Sequence, residues 1–345
     1  MTVVGDAYRR AGVDIDAGNV AVSLMRSAVS STHGPGVLST TGSFGGAFRF
    51  GDGAVLVAST DSVGTKLRLS SRLGRHADVG VDLVNHCIND ILTVGARPLF
   101  FLDYFATSAL DPEHVAQVVT GVAAACRDAG CALLGGETAE LPGMYMPGEY
   151  DVAGFIVGSV SEHEMLGPHR VEARDVLLGL PSSGPHTNGF SLINRLLGDR
   201  ASAFVSDKEL ERTDPGLGGS LADLLLAPHR SYLPTVAPLL ESEALHAIAH
   251  ITGGGLIENL PRCLPPHLSA SVQLNSWTPP PVFGWVQRKG QVTLDEMYRV
   301  FNMGVGMVLV VPSTDARRVL DSIDGAWELG TVCAGDGSVE LVGLA

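Results

Sequence analysis

The chain has 345 residues, 45% hydrophobic and 17% charged, with 23 basic against 37 acidic side chains and a formal net charge of −14. That apolar content can bury a large core and excludes a disordered polymer. The acidic balance excludes a general nucleic-acid binder, whose footprint is basic, but not a phosphate-bearing ligand, since backbone N–H groups and cations supply local positive potential.

At roughly 100–200 residues per domain, the length predicts two domains. The opening Met1-Thr2-Val3-Val4-Gly5-Asp6 lacks the basic start and apolar run of a secretory leader, so none is expected. No run of about 18 apolar residues occurs, so no membrane partner is expected. Cys87, Cys126, Cys131, Cys263 and Cys333 form no CxxC pair and read as reduced thiols in a cytoplasmic protein.

Beta and helical runs alternate along the chain. Ala54 to Ala58 reads as a strand, and apolar positions 80, 83, 84, 87, 88, 91 and 94 predict a helix over 79–94. Gly95 and Pro98 stop it, and Leu99 to Leu102 starts a strand. Asp111-Pro112 caps a helix whose apolar face is Val115, Val118, Val119, Val122 and Cys126, ended by Gly130. Strands follow at Ala132 to Leu134 and Val152 to Val160. After a polar stretch, His163 to Arg174, come a strand at 176–180 and a helix at 190–197. Then come a charged, Gly-rich surface excursion over 200–219, strands at 247–251, 270–274 and 306–311, and a helix at 256–263. The class is a two-domain α/β (α+β) fold, divided into residues 1–168 and 169–345.

Familiar nucleotide motifs are missing. No Gly-Lys dipeptide exists, which removes GxxxxGK[ST], and Gly42-Ser43-Phe44-Gly45-Gly46 does not fit GxGxxG. That cluster is either a flap whose N–H groups cover phosphates or a mobile turn. His246 and His250 sit four apart in a strand-like run, roughly 13 Å along the chain, too far to share a zinc ion.

The informative residues stand where apolar elements end. Thr60-Asp61-Ser62-Val63-Gly64-Thr65-Lys66 follows the first strand, and Gly135-Gly136-Glu137-Thr138-Ala139-Glu140 follows another. Asp82, Asn85, Asn89 and Asp90 lie on the helix between, with Asn85 and Asn89 stacked on one face. Each acid alone reads as a cap or solvated side chain. Together Asp61, Asp90 and Glu137 could share the hard cations that also bind nucleotide phosphates. Two later loops, Pro181 to Phe190 and His250 to Gly255, each run from strand to helix and each carry a His and a Thr. Three glycines before a helix suit a ribose phosphate, and His186 and His250 are candidates beside it.

These segments in this order, from Tyr8-Arg9-Arg10-Ala11-Gly12-Val13-Asp14 to Glu296-Met297-Tyr298-Arg299 and Met307, resemble the phosphoribosylformylglycinamidine cyclo-ligase (aminoimidazole ribonucleotide synthetase) family. The resemblance implies an N-terminal sheet that pairs with a second copy in a homodimer, and ATP in a cleft rimmed by the flap. It also implies ATP-dependent closure of formylglycinamidine ribonucleotide to aminoimidazole ribonucleotide, with ADP and phosphate released. It assigns Mg²⁺ to Asp61, Asp90 and Glu137. ATP falls to Gly42, Ser43, Phe44, Gly45, Gly46, Lys66, Asn89, Thr138 and Asn188. The substrate phosphate falls to Thr252, Gly253, Gly254 and Gly255, and catalysis to His186, His250 and Asp61. Ser62, Arg26, Pro234 and Met303 depart from the family's pattern and leave room for a paralogue with another substrate. A catalytically silent nucleotide-binding partner is the other alternative.

Overall fold

The structure, a computed structural model, describes residues 7–39, 42–198 and 204–343. Residues 200–203, the start of the charged excursion read over 200–219, and the opening residues 1–6 lie outside that set. Among the described residues no helix is long and apolar enough to cross a membrane.

Strands β1 (Gly46–Arg49), β2 (Ala54–Ser62), β3 (Arg97–Thr107), β4 (Ala132–Glu140) and β5 (Tyr150–Ser161) form one sheet in the order β1-β2-β5-β3-β4. Only β3 and β4 run parallel. A second sheet places Val339–Val342, Leu268–Gln273, Trp327–Ala334, β6 (Val176–Pro181), Val305–Val311 and Ala247–His250 side by side in that order. The two-domain mixed α/β class is therefore as expected from the sequence. The first sheet ends at Ser161 and the second begins at Val176.

Several elements differ from their sequence reading. Strand β4 continues through Gly135 to Glu140, where the reading had a loop, because pairing with β3 from Phe100 to Thr107 supplies backbone partners that outweigh the poor strand propensity of glycine. Likewise β2 runs on to Ser62 against β5. The helix read over 256–263 is α-helical at Gly255–Asn259 and 3-10 at Leu260–Cys263, where Pro261 removes an N–H. The helix Ile15–Ser30, capped by Asp14 accepting from Ala17 N, has no counterpart in the reading and buries none of its residues.

Packing makes the first sheet one-sided. Val55, Val57, Ser59 and Asp61 of β2 face the helix His76–Leu92, and the helix Pro112–Asp128 covers β4 beside it, while Phe48 and Phe155 on the other face remain 51% and 41% exposed. Those two helices cross at glycines. A Cβ on Gly121 would stand 1.9 Å from the carbonyl oxygen of Ala77, and one on Gly80 would stand 2.2 Å from that of Val118. Gly121→Ala is expected to lower stability by about 1–3 kcal/mol through overpacking, read from urea denaturation midpoints; an unchanged midpoint would show that the helices can separate without cost.

Candidate active site

The helix His76–Leu92 carries a polar stripe, Asp82, Asn85, His86, Asn89 and Asp90, at three- and four-residue spacing. A solvated face would be the ordinary fate of such a stripe. Here it is buried against the second half of the chain, and every member has a specific partner. Lys66 Nζ lies 2.8 Å from Asp82 Oδ1 and 2.7 Å from Oδ2, and donates to Ala227 O at 3.0 Å. Asp82 Oδ1 also accepts from His229 N at 2.7 Å. Asn85 donates to His229 O, and Asn89 spans Arg230 O and Tyr232 N at 2.8 and 3.0 Å. This stripe fixes the segment 227–232 in place.

Two of the ATP assignments change accordingly. Lys66 is fully buried in an ion pair, because a desolvated ammonium needs a carboxylate, so it does not stand ready for phosphates. Asn89 is fully buried, with both ends of its amide committed to backbone.

What the stripe positions is a group of four buried imidazoles, His86, His186, His229 and His250. His86 bridges the halves, its Nε2 2.8 Å from Asp61 Oδ2 and its Nδ1 3.0 Å from Thr187 Oγ1. His250 Nδ1 donates to Asp90 Oδ1 at 2.9 Å, and Ser59 donates to Asp90 Oδ2 at 2.9 Å. His229 Nε2 meets His250 Nε2 at 3.0 Å, and the His229 ring stacks on His186 with centroids 3.9 Å apart.

Burial and charge divide the four. Burial disfavours the charged form of His86, but Asp61, then Asp90 and Asp82, outweigh it and raise its pKa to about 9. Burial keeps His186 and His229 far below the ordinary histidine value, with neighbouring cations adding to the effect. His250 is also lowered by burial, against the pull of Asp90. Asp61 is below its usual value: burial opposes ionisation, and His86, the Ser62 N–H and His250 overcome it. The site thus holds one imidazolium among three neutral rings.

Both loops singled out in the sequence reach this cluster. His186 sits at φ +59, a left-handed conformation that costs a non-glycine residue about 1–3 kcal/mol and recurs at functional sites. Asn188 beside it buries an Nδ2 with no hydrogen-bond partner, against Gly253. The loop 252–255 is tied down by Asn259, whose Nδ2 donates to the carbonyls of Thr252, Gly253 and Gly255. Gly255 is at φ +59, and a Cβ there would stand 1.9 Å from Tyr298 O. The flap leads into β1. Phe44 lies 6.4 Å from the His250 ring, with Arg262 packed 4.8 Å over it.

The three acids assigned to a metal do not meet in one chain. Asp61 and Asp90 both border the imidazoles. Asp61 pairs across β5 and β3 with Gly136, so Glu137, one residue on, points to the opposite face, three strand spacings or about 14 Å away. Both oxygens of Asp90 are already engaged, whereas Asp61 is 35% exposed. A three-acid magnesium cradle is therefore not formed by these residues within a single chain. Thr138 lies on the helix side of β4 and is exposed.

Three of the four departures are locally benign, and Met303 shares the left-handed backbone of His186. Ser62 ends β2 without a positive φ, and Pro234 sits in the first turn of the helix Leu233–Leu240, where its missing N–H is unneeded. Met303 is buried at φ +51 and its carbonyl accepts from Trp277. Arg26 lies exposed on the helix Ile15–Ser30.

Neither His86 nor His229 is among the residues that the sequence marks. His86 lies four residues after Asp82 and four before Asp90, so the stripe itself carried the signal. Pro228-His229-Arg230 has no local pattern that marks it.

This arrangement, two α/β halves joined over a buried polar seam with Gly-rich loops converging on it, defines a two-domain, two-sheet α/β scaffold rather than a single-sheet fold. The chain matches the AIR synthase related protein N-terminal domain over residues 42–160 and the corresponding C-terminal domain over 172–342. It belongs to that family. Among curated relatives, the phosphoribosylformylglycinamidine cyclo-ligase of Synechococcus elongatus is 48% identical over 345 residues, covering 98% of this chain and 99% of that one. Those of Desulfitobacterium hafniense and Geobacter sulfurreducens are 49% and 47% identical, covering 94% and 100% of this chain and 95% and 100% of their own. Solved structures share the fold: AaThiL complexed with AMPPCP and TMP (TM-score 0.65, 15% identity, 94% of this chain and 92% of that one) and E. coli HypE, a hydrogenase maturation protein (0.59, 20%, 84% and 82%).

Proposed function

We propose that the chain closes the imidazole ring of aminoimidazole ribonucleotide from formylglycinamidine ribonucleotide at the expense of ATP, a step of de novo purine synthesis. The observation that carries this reading is the 47–49% identity, over nearly the whole chain, to relatives bearing the cyclo-ligase name. The geometry supports it independently, because loops 181–190 and 250–255 bring their histidines into one cluster with Asp61 and Asp90.

The chemistry explains why such residues are gathered. A formamide oxygen is a poor leaving group, so closure is slow until that oxygen carries the terminal phosphoryl of ATP. Phosphoryl transfer depends mostly on positioning and charge neutralisation. The His86 imidazolium supplies fixed positive charge beside Asp61. His186 stands for polarising the amide oxygen, and His250, engaged on both ring nitrogens by Asp90 and His229, stands for holding the cluster's proton arrangement. The flap, Gly42 to Gly46, with Thr138 and the Asn188 amide, stands for ATP contacts. Thr252, Gly253, Gly254 and Gly255 stand for the substrate phosphate. Magnesium enters this reading as the nucleotide's counter-ion. Of the three acids, Asp61 is the one open to it, and Glu137 reaches it only from a second copy of the chain.

A homodimer suits the same reading, because the uncovered apolar face bearing Phe48, Tyr104 and Phe155 is the face on which Glu137 stands.

The test is ADP release on mixing the protein with ATP and formylglycinamidine ribonucleotide, with the product identified by its mass loss of water. Stoichiometric ADP and dehydrated product are expected; a stable phosphorylated product would make the chain a kinase, and ATP binding without phosphate release would make it a silent partner.

A further inference from the structure

For the three neutral imidazoles, His186, His229 and His250, the hydrogen bonds fix where the protons sit. Asp90 accepts from His250 Nδ1, so neutral His250 has its lone pair on Nε2. That atom faces His229 Nε2 at 3.0 Å, which requires His229 to donate from Nε2 and leaves its lone pair on Nδ1. His229 Nδ1 is buried and has no hydrogen-bond partner. His186 is the converse. Its Nε2 accepts from Ser183 N at 3.2 Å, so its proton is on Nδ1, which is also buried and unpartnered. One bare acceptor and one bare donor therefore belong to two rings stacked 3.9 Å apart. Buried polar atoms are nearly always paired, and an unpaired set invites a ligand of matching polarity. A planar group with an N–H and an oxygen on neighbouring atoms is that match.

We propose that His229 is the base that takes the proton released when the ring closes, with His250 and Asp90 as the positioning residues that keep its Nδ1 bare. This rests on the cyclisation reading above. In the step, the amidine nitrogen's electron pair forms the new C–N bond. The bond from that carbon to the phosphorylated oxygen breaks, phosphate departs with its electrons, and the proton on the attacking nitrogen passes to His229 Nδ1. His186 Nδ1–H donates to the oxygen. Burial supports the assignment separately, since it holds His229 unprotonated and so receptive. Asp82 and Asn85 grip the backbone of His229 on both sides, at N and at O, which fixes the ring relative to the helix His76–Leu92.

The test separates the two chemical steps by rapid quench with terminally labelled ATP, using the full chain and its His229→Gln variant. Glutamine keeps an N–H for His250 but is no base. Ring closure is expected to slow by about 100-fold or more, while KM for ATP stays within about threefold and phosphorylated or prematurely hydrolysed substrate builds up. Equal slowing of phosphoryl transfer and closure, or no slowing, overturns the proposal. If wild type itself makes no imidazole product, it is the cyclisation reading that fails. Nitrogen NMR of histidine-labelled wild type gives a check that needs no variant: His229 should carry its proton on Nε2, and a proton on Nδ1 overturns the assignment. The nitrogens of His186, His229 and His250 also lie within 4.8 Å of one another. A tightly held zinc ion in the purified protein, whose removal stops both steps, would likewise overturn the proposal in favour of a metal centre.

Discussion

Lys66→Met lowers the unfolding free energy by about 3–5 kcal/mol, measured by urea denaturation at neutral pH. The ammonium is fully buried between Asp82 and the carbonyl of Ala227, and its loss strands a fully buried carboxylate. Asp82 already has its pKa raised by burial, with Lys66 as the main opposing influence. Without Lys66 it must take a proton or draw in water, and its hold on His229 N weakens with it. Replacing both partners, Lys66→Met with Asp82→Leu, removes the stranded charge and is expected to recover most of the loss. The double variant also tests the assignment of Lys66 to ATP. Turnover that returns with stability shows a purely structural lysine. Stability without turnover shows that the pair also serves the reaction, through Lys66 at the phosphates or through Asp82 at His229 N, and Asp82→Leu with Lys66 kept tells the two apart. A single-variant loss below about 1 kcal/mol would mean that solvent enters the seam.

The stability difference between wild type and His86→Gln depends on pH, by on the order of 3 kcal/mol across its range. The sign follows from the direction of the shift. Folding raises the His86 pKa from 6.5 to about 9, so the folded state holds this proton more tightly than the unfolded chain. The contribution is fully present below about pH 6.5 and is lost as pH rises through about 9. His186, His229 and His250 shift the other way, and their burial as neutral rings costs stability as pH falls below their unfolded value. The wild-type profile therefore mixes both trends, and only the difference between the two proteins isolates His86. Chemical denaturation at about pH 6, 7.5 and 9 provides it. A difference that stays flat would show His86 to be neutral in the folded state.

Much of the framework could be read locally. Asp111-Pro112 caps its helix as expected, with Asp111 accepting from Glu113 N and His114 N. The apolar spacing of 80 to 94 marks the helix His76–Leu92 to within a few residues. The ordered motifs also identified the family. Local reasoning failed where a strand owes its existence to a distant partner. Gly135 to Glu140 has little strand propensity and becomes β4 only through its register with β3, and Trp327–Ala334 and Val339–Val342 went unread for want of a clear local signal.

The site divides along the same line. Sequence alone determined which loops would matter, because glycine, histidine and carboxylate at the ends of apolar runs are marked by their neighbours in the chain. Tertiary structure alone decided what each side chain does there. It buried Lys66 against Asp82, turned Glu137 to the far face of the sheet, and set His229 between His186 and His250. The reason is physical: periodicity encodes which face of an element is apolar, whereas a buried proton or charge is governed by partners far along the chain, 160 residues away for Asp90 and His250 Nδ1.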